Sequence, residues 1–337
     1  MLPAAPATAL LTYGDAPGAH VQLHVLLTGV QTNGLAVAAG LGELLAVGLY
    51  LFGVSRLARR GRRWSRRATA SFVAGVAAVW VAVGSGLAAY DEVNVQMHVV
   101  QHILLMMVAP PLLALGKPVT LASQALPRRA QVGLLRAVHS RVLAAATFPV
   151  LTWFLYYGSM YVYFGDRSVY HYSTVHPLFH DATHLIFLTV GLLYWQPLLG
   201  SDPSRWRLPY PARVLIVFIG MPFEAFLGIS LDMSNRPIDP INTLANTRAA
   251  GQTFWILAMA ATAAALAVIA RQWYRQLDRQ TPREDRLAET QAVESAERAA
   301  RLGVTPNREG WTVPEWRLAQ IERQRLVTQR RAGPPDS

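Results

Sequence analysis

The chain alternates long apolar runs with short polar connections, the pattern of helices that cross a bilayer rather than of amphipathic soluble elements. Seven runs reach spanning length, at about 36–57, 70–90, 97–116, 142–164, 178–199, 212–231 and 250–270. The pattern predicts an all-α, polytopic membrane helical bundle with about seven transmembrane helices. Residues 1–35 read as an extracytoplasmic N-terminal segment, 36–270 as the membrane domain and 271–337 as a charged cytoplasmic helical tail. The opening segment lacks the basic region and small-residue cleavage site of a secretory signal, so no processing is expected, and residues 20–34 are a candidate interfacial half-helix.

Charge orients these spans. The connection after the first, RLARRGRRWSRR, carries seven arginines and belongs in the cytoplasm by the positive-inside rule. Alternation from there places 28 basic residues inside and only Arg167, Arg236 and Arg248 outside, with the N-terminus out and the C-terminus in. The net charge of +11 therefore reports topology, and nucleic acid is not an expected partner; the lipid bilayer is. With 52% hydrophobic and 15% charged residues, the composition excludes a disordered chain. The tail alternates Arg with Glu or Asp as a solvated, salt-bridged helix would, turns at Pro306, and continues in a basic stretch around 316–331. Having no cysteine, the chain cannot form disulfides, thiolate metal sites or iron–sulfur clusters.

The histidines carry the chemistry. On this topology His20, His24, His98, His102, His171, His176, His180 and His184 lie toward the outside, and only His139 toward the cytoplasm. His98 and His102 are four apart at the start of the third span, and His176, His180 and His184 repeat every four at the start of the fifth, so each set shares a helical face. Met106 continues the first stripe, and imidazoles ending in a thioether suit copper, whereas zinc has no use for Met. The expected metal ligands are His98, His102, His180 and His184, then His176 and Met106. Asp181 is the expected acceptor orienting an imidazole, and Gln101, Met97 and Glu224 are supporting residues. Glu43 and Glu224 are rare carboxyls within spans, read as helix–helix hydrogen bonds or an ion path. Pro110 and Pro111 should kink the third span just past the His/Met stripe. Tyr156, Tyr157, Tyr161, Tyr163, Tyr170 and Tyr172 read as an interfacial aromatic belt. No H-E-x-x-H, serine elbow or acidic dyad is present, so binding and transfer are expected rather than catalysis.

The runs RRGRRWSRR, SFVAGVAAVWVAVGSGLAAY, MHVVQHILLMMVAPPLLALGKPVTL and HDATHLIFLTVGLLYWQPLLGSDP together resemble the CtaG-type cytochrome c oxidase assembly proteins of bacteria. The similarity covers about residues 36–270 and is most specific in the third span, where Gln101, His102, Met106, Pro110, Pro111, Gly116 and Pro118 match and Met97-His98 replaces His-Met. Ahead of the last span, where the family has an Asp-Gln-rich run, this chain has Asn246, Thr247 and Arg248, retaining Gly251 and Trp255. The resemblance implies a multi-span plasma-membrane factor that helps form active haem–copper oxidase, usually proposed to supply its copper, with oxidase subunits as partners. It is distinct from the single-span, cysteine-using copper chaperone that shares the name CtaG. Two other functions stay open: b-type haem held between an imidazole of the third span and one of the fifth, for electron transfer, and a metal-free assembly scaffold.

Overall fold

The computed structural model describes residues 10–11, 21–91, 93–200, 202–206, 208–304 and 315–331. His20 and the Pro306 turn lie outside these residues. The chain forms two compact units, Met1–Ala270 and Arg271–Ser337.

In the first unit the two-residue strands β1 (Leu10–Leu11) and β2 (Val30–Gln31) pair in parallel around the short helix α1 (Leu23–Thr28). Then come α2 (Gly34–Arg59) and α3 (Arg66–Val83), each started by a side-chain cap, Asn33 to Ala36 N and Ser65 to Ala68 N. A 3₁₀ turn, Gly86–Ala89, leads to α4 (Val95–Ile103), which passes through a π turn at Leu104–Val108 into α5 (Ala109–Leu115) and on to α6 (Pro118–Ala125). The short helices α7 (Arg128–Val138) and α8 (Arg141–Ala146) precede α9 (Pro149–Gly165), α10 (Arg167–Val175), α11 (Pro177–Leu199) and α12 (Tyr210–Asp232). Helix α13 (Leu244–Arg301) runs through the boundary of the two units, and α14 (Glu315–Arg331) lies in the second, where Arg298 pairs with Glu322.

Six helices among the described residues are long and apolar enough to span a membrane: 36–59, 66–83, 95–125, 177–199, 210–232 and 244–280. The expected span at 142–164 is divided instead. Phe148, preceding Pro149, is extended, because the residue before a proline is pushed out of the helical region, and the 17-residue α9 that follows is at the short limit for crossing. The outward faces are apolar: Leu44 and Leu45 of α2 and Phe226 of α12 are 72%, 62% and 67% exposed, as lipid-facing residues would be.

The packing that positions the centre described below is set by α4–α5 and α11. Pro110 has no N–H to give the Met106 carbonyl, and the indole Nε1 of Trp195 on α11 donates to it instead at 3.0 Å. The expected proline kink takes the form of this π turn, which absorbs one extra residue. Gly191 permits the crossing, since a Cβ there would meet Pro110 Cγ at 2.7 Å and the Met106 carbonyl oxygen at 2.8 Å. A second close crossing joins α12 to α13, where a Cβ on Gly251 would meet the Gly228 carbonyl oxygen at 2.5 Å. At the end of α5, Lys117 adopts a left-handed conformation (φ 55°), and Asp202 caps α6 in its place by accepting from Val119 N at 3.1 Å and Thr120 N at 2.7 Å.

Candidate metal centre

The histidines converge because two helices start side by side. The orphan donors at the start of α4 are satisfied by Asn94, which accepts from Gln96 N and Met97 N, and by Asn242, which accepts from Val95 N at 2.9 Å. Asp239 in turn holds Asn242, accepting from its main-chain N and its side-chain amide. Helix α11 starts with Pro177, whose missing N–H costs nothing there. His98 and His102 occupy the first turns of α4, and His180 and His184 the matching turns of α11, so the rings meet in pairs, His98 with His180 at 5.0 Å and His102 with His184 at 5.5 Å between centroids. All four are buried, none more than 7% exposed.

Their contacts form one network. His98 and His102 stack in parallel, centroids 4.6 Å apart, with Nε2 to Nε2 at 2.7 Å. His98 Nδ1 lies 2.8 Å from the main-chain oxygen of Asp91. The Asp91 carboxylate is 3.2 Å from His180 Nε2 and accepts from the Gln101 amide at 2.9 Å, and the same amide also donates to the Ala82 carbonyl. Burial opposes ionisation of this carboxyl, but the hydrogen bond and charge of His180 outweigh it and hold the group below the usual carboxylate range. Tyr163 reaches Ser173 Oγ at 2.7 Å, and Ser173 Oγ lies 3.3 Å from His180 Nδ1.

Asp91, His180 and His184 each offer a ligand atom, and these three atoms lie within 4.8 Å of one another. Among the clustered rings, His102 Nδ1 and His184 Nε2 are sealed from solvent with no hydrogen-bond partner among the described residues. Two imidazoles and a carboxylate are an N/O donor set that suits copper(II), zinc or iron. The 3₁₀ turn that precedes Asp91 is packed against α1: Tyr90 is fully buried, its hydroxyl accepts from Gln22 N at 2.8 Å, and Gly86 lies so close to α1 that a Cβ would strike the Val25 carbonyl.

Several expected positions fall elsewhere. His176 is exposed at the cap of α11, stacked on Tyr172 with Nδ1 on the Tyr172 carbonyl, and His24 is also exposed. Met106 is buried in the apolar core with Ile103, Phe187 and Tyr194, because the π turn breaks the register that would carry the His98–His102 face onward. Asp181 does not take the orienting role expected of it beside His180; Asp91 and Ser173 engage that ring. Gln101 donates to the Asp91 carboxylate, while Met97 is half-buried in the first turn of α4. Glu224 belongs to a separate buried cluster, accepting from Thr262 at 2.9 Å and Tyr157 at 3.3 Å, which is helix–helix bonding between α12, α13 and α9. The tyrosine belt is corrected for four of its six members, while Tyr172 is 48% exposed, as a belt residue would be. Tyr156, Tyr157, Tyr163 and Tyr170 are at most 3% exposed, and Tyr163 and Tyr170 wall the histidines, with ring centroids 5.6 and 5.2 Å from His98. Asp91 itself was not among the expected ligands; its one sequence signal is an acidic residue in the connection seven positions before His98.

No solved structure matches the chain. It is 33% identical to uncharacterized proteins of Mycobacterium bovis and Mycobacterium tuberculosis over 272 residues, and 32% identical to one of Mycobacterium leprae over 270. These matches cover 73–74% of this chain but only 40% of each relative, so the chain spans less than half the length of those proteins. Cytochrome c oxidase caa3 assembly factors match residues 48–276, a stretch that contains Asp91 and all four clustered histidines, and the chain belongs to that family.

Proposed function

We propose that this assembly factor binds copper at the centre formed by Asp91, His102, His180 and His184, on the outer side of the plasma membrane, and delivers it to an assembling cytochrome c oxidase. The observation that carries this reading is the pair of buried, partnerless imidazole nitrogens on His102 and His184. An unsatisfied buried polar atom costs about 1–3 kcal/mol, and two on rings whose centroids are 5.5 Å apart are accounted for by an ion that uses them. The family favours copper over zinc, because the client oxidase contains copper. With Met106 in the apolar core, the donors that remain are nitrogen and oxygen, so the thioether no longer bears on the choice of copper over zinc. A site with some of its donors held by hydrogen bonds suits a cargo that must leave again. The outward placement rests on the 28 to 3 distribution of basic residues.

The test is copper content and the absorption spectrum of the detergent-purified protein, repeated for His102→Ala and His184→Ala. Copper near one per chain, lost in both variants without loss of membrane insertion, is the expected result. Metal-free protein that still rescues oxidase assembly refutes the copper reading in favour of a scaffold. A Soret band would mark a haem protein, although a macrocycle on His102 would first have to displace Phe187, whose ring sits edge-on at 4.5 Å.

A further inference from the structure

We infer that His98 is not a ligand but the positioning residue that leaves Nδ1 of His102 unprotonated and open to a metal; this rests on the copper reading above. The assignment follows from counting protons along the chain of contacts. A main-chain carbonyl can only accept, so the 2.8 Å contact between His98 Nδ1 and the Asp91 oxygen puts the His98 proton on Nδ1. With one proton on the ring, His98 Nε2 holds a lone pair. The 2.7 Å contact between the two Nε2 atoms then needs its proton from His102, which donates Nε2–H to His98. His102 is left with an unprotonated Nδ1, the atom that is buried and without a hydrogen-bond partner among the described residues.

Two further contacts keep this arrangement. Tyr163 lies 3.0 Å from His98 Nε2 but closer, at 2.7 Å, to Ser173 Oγ; by donating to the serine it leaves the His98 lone pair for His102. The parallel stack of the two imidazoles and the edge of Phe187 hold the His102 ring plane, and flipping the ring would set a C–H against the His98 lone pair. Asp91 therefore acts twice, its main-chain oxygen fixing the His98–His102 pair and its carboxylate facing His180. Through this one connection residue, the imidazoles of α4 and α11 are set against each other. The nitrogen that His102 offers a metal is Nδ1 rather than Nε2.

The full-length protein is compared with His98→Phe, which keeps the stacked ring but can neither donate nor accept, and His98→Gln, whose amide can donate to the Asp91 oxygen and accept from His102. Copper(II) affinity is measured against a competing chelator, coordinated imidazoles are counted by pulsed electron paramagnetic resonance, and the metal-free proteins carry ¹⁵N-histidine for magnetic resonance. His98→Phe should lose about 10–100-fold in affinity, His98→Gln should recover most of that, and the imidazole count should be the same in wild type and His98→Gln. Metal-free wild type should show His102 protonated on Nε2. Equal losses in both variants with one fewer coordinated imidazole would make His98 a ligand and overturn the inference, as would unchanged affinity in both. Where the Phe variant fails to fold, the Gln variant and the metal-free spectrum still decide. Wild type that takes up no copper refutes the centre, whereas Nδ1-protonated His102 in the metal-free protein refutes the positioning role alone.

Discussion

Replacing Trp195 with Phe probes how the histidine-bearing helix survives its two prolines. Pro110 cannot donate to the Met106 carbonyl, and Trp195 Nε1 does so at 3.0 Å between residues only 1% exposed. Trp195→Phe removes that donor where water cannot substitute, a cost of about 1–3 kcal/mol for the stranded carbonyl. The lost indole contacts add about 1 kcal/mol. In a Pro110→Ala background the new main-chain N–H can serve the Met106 oxygen, so the same substitution should cost only its packing share. A four-protein double-mutant cycle, measured by denaturant unfolding in mixed micelles, should then give a coupling of about 1–2 kcal/mol. If Trp195→Phe costs the same in both backgrounds to within about 0.5 kcal/mol, the indole is packing the π turn rather than satisfying it, and the explanation fails.

Asp91→Asn keeps the main-chain oxygen that holds His98 but removes the anionic oxygen from the centre, so copper(II) affinity should fall at least about tenfold in a chelator competition; unchanged affinity would take Asp91 out of the ligand set. His176→Ala and Glu224→Gln should each retain wild-type copper stoichiometry by elemental analysis, and loss of metal in either would return that residue to the centre. Asp202→Ala should cost about 1–2 kcal/mol in the unfolding assay by uncapping α6, with Asp202→Asn recovering part of it, and an unaffected midpoint would show that the cap adds nothing.

What could be read from the chain alone is what depends on neighbours along it. An apolar run of spanning length predicts a membrane helix whatever it packs against, and most of the spans follow from that. The i, i+4 histidine pairs share a face in any α-helix, which is why His98, His102, His180 and His184 were identifiable before their partners were known. The same reasoning failed where the helix stopped being regular. Pro110 and Pro111 announced a distortion, but its form as a π turn depends on Trp195 and Gly191 of α11, and that form removes Met106 from the stripe. Asp181 was attractive because it adjoins His180, yet consecutive helical residues point about 100° apart, and adjacency in sequence is a poor guide to a ring's partner.

The tyrosines and Asp91 mark the division most clearly. A tyrosine suits a membrane interface and a helix crossing equally well, since its ring is apolar and its hydroxyl needs only one partner, so composition could not decide between belt and wall. Packing decided it, by bringing Ser173 and His98 to Tyr163. Asp91 sits in a connection with no periodicity to interpret, and its carboxylate meets His180, 89 residues further on. The sequence by itself determined the class of fold, the helical faces that carry imidazole and the asymmetry of charge, because these arise from local hydrophobicity and the 3.6-residue turn. Only the tertiary structure decided which imidazoles share a centre, which carboxylate joins them and which ring nitrogens are left open, because each of those is fixed by a hydrogen bond between segments that meet only when the helices pack.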